Sequence, residues 1–162
     1  MRSSFARRLA MLALVPAAMM GVIAVAAPAQ AAAPTTVRLQ SDILYWTNAQ
    51  RVKHGCGKLR LDTGLARAAR NHSAWMAKTG AFSHTGSGRS TFIARSKAAG
   101  YSAALSENIA WGYRDGAAVV VAWMRSPGHR ANILNCKAKA VGVGAVYAPN
   151  GTPYYTQDFG SK

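Results

Sequence analysis

Two histidines, one glutamate and one serine are the residues of this chain that could do chemistry together. His84 sits in Phe82-Ser-His84, Glu107 in Ser106-Glu-Asn-Ile109, and Ser126 and His129 in Trp123-Met-Arg-Ser-Pro-Gly-His129-Arg-Ala-Asn-Ile-Leu134. Glu107 is the sole glutamate among 162 residues, and it lies inside an apolar run. A carboxylate among apolar neighbours is costly unless a histidine, another cation or a metal pairs with it. His84, Glu107 and His129 are therefore expected to converge on one cleft, with Ser126 beside them.

Two imidazoles and one carboxylate with an open position form a ligand set that zinc accepts, with magnesium or calcium as alternatives. Such an ion could lower the pKa of a bound water and make it a nucleophile. Hydrolysis also asks for a general base beside that water, and Glu107 cannot serve fully as ligand and base at once. A structural reading stands beside the chemical one: both histidines could simply hydrogen-bond Glu107 and backbone, holding layers in register. A Ser126–His129–Glu107 hydrolase triad is disfavoured. No G-x-S-x-G elbow is present, and the serine and histidine are three apart across Pro127-Gly128.

Elements must position these groups. A helix is expected from Val37 to about Arg51, its apolar positions Val37, Ile43, Leu44 and Ala49, ended by Gly55-Cys56-Gly57. Lys58 to Leu61 leads into a second helix capped by Asp62 or Thr63. Its inward stripe is Leu65, Ala69, His72 and Met76, and Gly80 closes it. Ser90 is placed to cap a third helix ending at Gly100. Ser106 to Trp111 reads as a strand, and Asp115 caps a strongly apolar helix that stops before Pro127. A single turn follows around His129 to Leu134. Val141 to Tyr147 and Tyr154 to Phe159 form a hairpin through Pro149-Asn-Gly151. Helices first and antiparallel strands last point to an α+β layered domain.

Several side chains have plain packing roles by this reading. His72 lies on an apolar stripe, His54 in a solvated loop, and Trp46, Trp75, Trp111 and Trp123 are assigned to the core. Asn108 should tie strand to loop, and Gly128 should leave backbone room beside the cleft.

The amino terminus reads as an export signal, residues 1–31, removed on secretion. Arg2, Arg7 and Arg8 precede a long apolar run, and Ala29-Gln-Ala31 offers a small-x-small cleavage site. Residues 32–40 form a short lead and 41–162 one domain, with no linker or repeat dividing it. Of 20 Lys and Arg, three lie in the signal, leaving 17 against 5 acidic residues, a net charge near +12. Such a surface attracts anionic polymers or lipid headgroups and loses them to salt. The charges are scattered singly and no nucleic-acid motif is present, so nucleic acid is not the expected partner. For an exported monomer the nearer anions are cell-wall polymers and membrane phospholipid, so wall association and peripheral membrane contact are both open. Cys56 and Cys136, an even pair in an oxidising compartment, are expected to form one disulfide; metal-binding thiolates would lack a nearby C-x-x-C partner.

The order Phe82-Ser-His84, Glu107-Asn-Ile109, Trp123…Gly128-His129, Val141-Gly-Val-Gly144 and Tyr154-Tyr-Thr-Gln-Asp-Phe-Gly160 resembles the CAP superfamily of cysteine-rich secretory, antigen 5 and pathogenesis-related proteins. Ser126-Pro-Gly-His-Arg-Ala-Asn-Ile-Leu134 is similar to its bacterial secreted, SCP-domain branch. The resemblance runs from about Ser41 to Gly160. It implies a three-layer α-β-α sandwich around a central antiparallel sheet, with a cleft tetrad of two histidines and two acidic residues that holds a divalent metal in several members. Position by position, His84, His129 and Glu107 match three of the four. The second glutamate falls three residues after the tryptophan in animal and plant members, and here that place holds Ser126. The resemblance therefore implies binding of an anionic envelope component or a lipid more than turnover. The alternative is a metal-dependent hydrolase of peptide or cell-wall substrates.

Overall fold

The computed structural model describes residues 32–162 of the chain, and the expected signal segment lies outside them. Among the described residues the elements run α1 (Thr36–Lys53), β1 (Arg60–Leu61), α2 (Thr63–Thr79), a 3₁₀ turn at Ser87–Arg89, α3 (Phe92–Ala98), β2 (Ala104–Trp111), α4 (Gly116–Arg125), α5 (Pro127–Ile133), β3 (Ala140–Tyr147) and β4 (Pro153–Gly160). Helix α1 runs unbroken through Ser41, so residues on both sides of position 41 share one element.

The sheet has strand order β1-β3-β4-β2. It is antiparallel except at one edge, where the lead into α2 becomes a two-residue strand running parallel to β3. Helices α2 and α3 cover one face, and α1, α4 and α5 the other. Strand alternation assigns side chains to the two faces. Val141, Val143, Ala145, Tyr155 and Phe159 pack with Leu39, Ile43, Val119, Val120, Trp123 and Ile133 in the main core. Gly142 and Gly144 point the opposite way, and a Cβ on either would overlap the backbone of α2 at Leu65 and Ala69. The Val-Gly-Val-Gly pattern is thus the imprint of a helix lying directly on the strand.

Caps follow the sequence, with one exchange. Asp62 accepts from Gly64 and Leu65 at the start of α2, Gly80 ends it at φ +72°, and Asp115 accepts from Ala118 at 2.8 Å. Thr91 caps α3, whereas Ser90 terminates the 3₁₀ turn before it. On α1 the buried face is Leu39, Ile43, Thr47 and Arg51, while Val37 and Ala49 are exposed. Arg51 is the residue that hydropathy could not place. Its fully buried guanidinium donates to the carbonyls of Gly57, Ile133, Asn135 and Ala138 at 2.7–3.0 Å. The Cys56–Cys136 disulfide closes the same corner, with Cα atoms 5.1 Å apart. Among the tryptophans only Trp123 is fully buried. Trp46 is one residue off the inward face of α1, Trp75 is half-buried, and Trp111 stands at the outer end of β2, so these three leave the core assignment.

If the α2–β3 contact depends on the missing side chains, Gly144→Ala should destabilise the domain by about 1–3 kcal/mol through overpacking. Gly57→Ala, with open space around it, should change little. Urea denaturation of both variants compares them, and equal stabilities would contradict this account of the strand.

Candidate functional site

Strand β2 lies at the free edge of the sheet, and two side chains cover its outward carbonyls. Trp123 donates Nε1–H to the Ile109 carbonyl at 3.0 Å, and Asn132 donates to the Glu107 carbonyl at 3.2 Å. The edge is therefore closed to a further strand. Asn108, on the face toward α5, donates to the His129 carbonyl at 3.2 Å and accepts from Asn132 at 2.8 Å. The tie expected between strand and loop runs instead from the strand to helix α5. Beside this edge, between the loop bearing Phe82 and the α4–α5 elbow, opens a cleft of about 410 Å³. Ser126 and His129 line it together with Trp111, Tyr113 and Trp123.

Glu107 points to the other face of β2, toward α2 and α3. Its side chain is almost fully buried, and both oxygens are taken: His84 Nδ1 lies 2.8 Å from Oε1, and Arg95 donates to Oε2 at 2.5 Å. Burial alone would push this carboxyl up. The His84 hydrogen bond and the Arg95 and His72 charges outweigh it and hold Glu107 below the ordinary glutamate range. Arg95 also donates to the carbonyls of His84 and Ser90, fastening the loop that presents His84. His72 fastens the same loop from α2, donating to the Ser83 carbonyl at 2.9 Å. It is a packed histidine, as its stripe position implied, stacked on Trp75. Burial holds it below the ordinary histidine value, helped by Arg95 and opposed by Glu107.

One more carboxyl belongs to this cluster. Asp158, on β4, is the cross-strand partner of Glu107 and is completely buried. No N–H or O–H of the described residues donates to either of its oxygens, and the partner within reach is the Glu107 carboxylate, to which the acid can donate its own proton. Burial, then the neighbouring Glu107 charge, raise its pKa well above the ordinary aspartate range, so it stays protonated. Of two adjacent carboxyls, the one that meets Arg95 and His84 carries the charge and the other keeps its proton.

The structure thus joins His84 to Glu107 directly. His129 stands across the β2 edge, its ring 6.5 Å from Trp123, and is held below the ordinary histidine value by burial and by the nearby His84. Ser126 occupies the junction of α4 and α5 and makes no side-chain cap bond. His54 is exposed, as expected, and bonds the Gln50 carbonyl. As arranged, Glu107 is not free to ligate a divalent cation itself, while His84, whose Nδ1 it holds, keeps its Nε2 and could serve beside His129 as a carboxylate-oriented metal histidine does. Zinc requires contacts near 2 Å from free lone pairs, and those of Glu107 face a guanidinium and an imidazole. Among the described residues, no group of three or more His, Cys, Asp or Glu side chains is arranged to hold an ion.

Arg95 and Asp158 were not singled out in the sequence. Asp158 was findable, because strand alternation sets Thr156 and Asp158 opposite Tyr155, Gln157 and Phe159, making it a second acid aimed into a core. Arg95 carries no signal of its own, being one basic residue among many on a short helix.

The two carboxyls make stability depend on pH with opposite signs. Asp158 keeps a proton that the unfolded chain releases above about pH 4, so it lowers stability as pH rises from there. Asp158→Asn needs no proton to stay neutral, and should raise the melting temperature at pH 7 while leaving it unchanged below about pH 4. The depressed Glu107 adds stability above the ordinary glutamate range, and this is lost as pH falls through its folded value. Arg95→Met strands that charge and should cost about 3–5 kcal/mol near neutrality, shrinking in acid. Thermal melts of D158N and urea unfolding of R95M, each at pH 7 and below about pH 4, check the signs. A lower-melting D158N at pH 7, or an R95M deficit independent of pH, would contradict the assignment.

Comparison with known proteins agrees with the fold. The family model described as CAP, cysteine-rich secretory protein family, matches residues 44–159. The uncharacterised membrane protein YlbC of Bacillus subtilis (strain 168) is 37% identical over 121 residues, 74% of this chain and 34% of its own length. The uncharacterised protein YkwD of the same organism is 36% identical over 132 residues, 80% of this chain and 50% of its own. The chain therefore spans only a third to a half of these curated relatives. Among solved structures, an extracellular SCP-domain protein from Bacillus anthracis superposes with a TM-score of 0.71 at 32% identity, covering 78% of this chain and 41% of that one. An outer surface protein from Borrelia burgdorferi shares the fold at 19% identity, with a TM-score of 0.69 over 79% of this chain and 98% of its own. With its α+β sandwich and its ordered motifs, the chain belongs to the CAP, or cysteine-rich secretory protein, family.

Proposed function

We propose that this chain works outside the cell as a monomeric, non-enzymatic CAP domain that binds an anionic component of the cell envelope, through its basic surface and the cleft at the β2 edge. One observation carries the reading. Glu107, which a hydrolytic mechanism would need as ligand or base, is spent on Arg95 and His84, and Ser126 stands where a second carboxylate would be. The acid groups of the cluster serve the fold, while the cleft offers aromatic walls with one serine and one histidine. The net charge near +12 supplies the attraction to anionic polymers or headgroups. The extracellular character of the B. anthracis relative supports an exported location, as does the apolar amino-terminal run. None of the helices among the described residues is long and apolar enough to cross a membrane, so membrane contact by this domain would be peripheral.

Co-sedimentation with purified cell walls, anionic vesicles and neutral vesicles tests the proposal. Binding should favour the anionic materials and weaken steeply as salt rises from 0.05 M to 0.5 M, where screening shortens to a few ångströms. Binding that ignores both charge and salt would sink it. So would hydrolysis of wall or peptide substrates that is lost in His84→Ala and abolished by chelator.

A further inference from the structure

The envelope-binding reading leaves open the chemistry of what enters the cleft. Three large side chains that a soluble surface ordinarily hides are gathered there: Phe82, Trp111 and Tyr113 are 49, 53 and 37% exposed, and all line the same cavity. Trp111 and the backbone of Tyr113 are braced. Trp111 stacks on Tyr154 with ring centroids 6.5 Å apart and planes 23° apart, which supports one face of the indole. The Tyr155 hydroxyl donates to the Tyr113 carbonyl at 2.6 Å, and Trp123 below is tied to Ile109. A preorganised aromatic surface loses little entropy on binding. Ser126 and His129 add a hydroxyl and an imidazole at its rim. Across the α4–α5 elbow lies a second cavity of about 340 Å³ lined by Arg125 and Arg130, and neither cavity has an acidic residue in its lining.

We propose that this paired hollow is a stacking site for an anionic cell-wall glycan. Pyranose rings lie on Trp111 and Tyr113, and the polymer's carboxylates meet Arg125 and Arg130 across the elbow. The assignment rests on the envelope-binding reading and narrows it to one ligand class. A pyranose presents a C–H face that packs on the electron-rich face of an aromatic ring, while its rim of hydroxyls needs donors and acceptors at the edge. The cleft supplies both. Its volume sits at the lower end of ligand pockets, on the order of 300–1,000 Å³, and it is open to solvent. That suits a short stretch of polymer passing through better than a long acyl chain, which needs an enclosed apolar tunnel. The two arginines add planar forks that match carboxylates.

The test uses the whole secreted chain and isothermal calorimetry with three probes. The first is soluble glycan strands from peptidoglycan freed of stem peptides, in which every second amino sugar carries a lactyl carboxylate; the others are neutral chitohexaose and anionic phospholipid vesicles. Saturable binding to the strands is expected, tighter than to chitohexaose. Trp111→Ala should weaken it about tenfold or more and leave vesicle binding unchanged, while Trp111→Phe restores most of it. Arg125→Gln with Arg130→Gln should remove the preference over chitohexaose. Thermal melts establish that each variant folds, and Tyr113→Ser serves in place of any that does not. Strand binding unaffected by Trp111→Ala and Tyr113→Ser overturns the stacking site. Binding to vesicles but not to strands overturns the glycan assignment and leaves the envelope reading standing. Binding to none of the probes, and to no wall material, overturns both.

Discussion

A single buried negative charge organises the α2–α3 side of this domain. Glu107 cannot be ionised inside a packed layer without partners, so the fold brings it Arg95 from α3 and His84 from the loop after α2. The same guanidinium holds the His84 and Ser90 carbonyls, and His72 holds Ser83. The charge therefore fixes the loop as well as the strand. That loop carries Phe82 into the wall of the cleft, so an electrostatic bond on one side of β2 sets the shape of a binding surface at its edge. Asp158 accepts the consequence by remaining protonated beside its ionised neighbour.

The opposite face reaches the same cleft by packing. Trp123 anchors α4 in the main core and reaches β2 with its indole N–H. Pro127 then starts α5 immediately, and the sharp elbow between the helices places Ser126 and His129 at the opening. Arg51 and the Cys56–Cys136 bridge fasten the far end of α5 to the end of α1. In the chain-entropy picture, closing a loop of that length is worth ~4 kcal/mol. The cleft is thus framed by one electrostatic and one covalently braced wall.

Much of this was legible in the chain. Helix periodicity, the Asp62 and Asp115 caps, the Asn-Gly hairpin and the alternating glycines of β3 each act locally, and each appears where the sequence puts it, within a few residues. The meeting of His84 and Glu107 followed from the cost of burying a lone glutamate. What escaped was set by tertiary packing. A two-residue parallel strand has no periodicity to read, Arg51 buries itself because four distant carbonyls surround it, and Arg95 looks like any surface arginine. Trp46, Trp75 and Trp111 leave the core for a related reason: hydrophobicity says that a ring avoids water, but only the neighbours decide whether it can. Trp111 ends a strand beyond its covering helices and stays exposed.

The central claim, that Glu107 is an ion held by Arg95 and His84 rather than a free ligand, has an unusually clean probe. Glu107 is the only glutamate, so protein labelled with ¹³C at glutamate side-chain carboxyls gives one resonance to follow with pH. The account predicts a titration midpoint below the ordinary glutamate value of about 4.3, and a higher midpoint in Arg95→Met. A midpoint at or above that value in the parent chain, or one that Arg95→Met leaves in place, would contradict it.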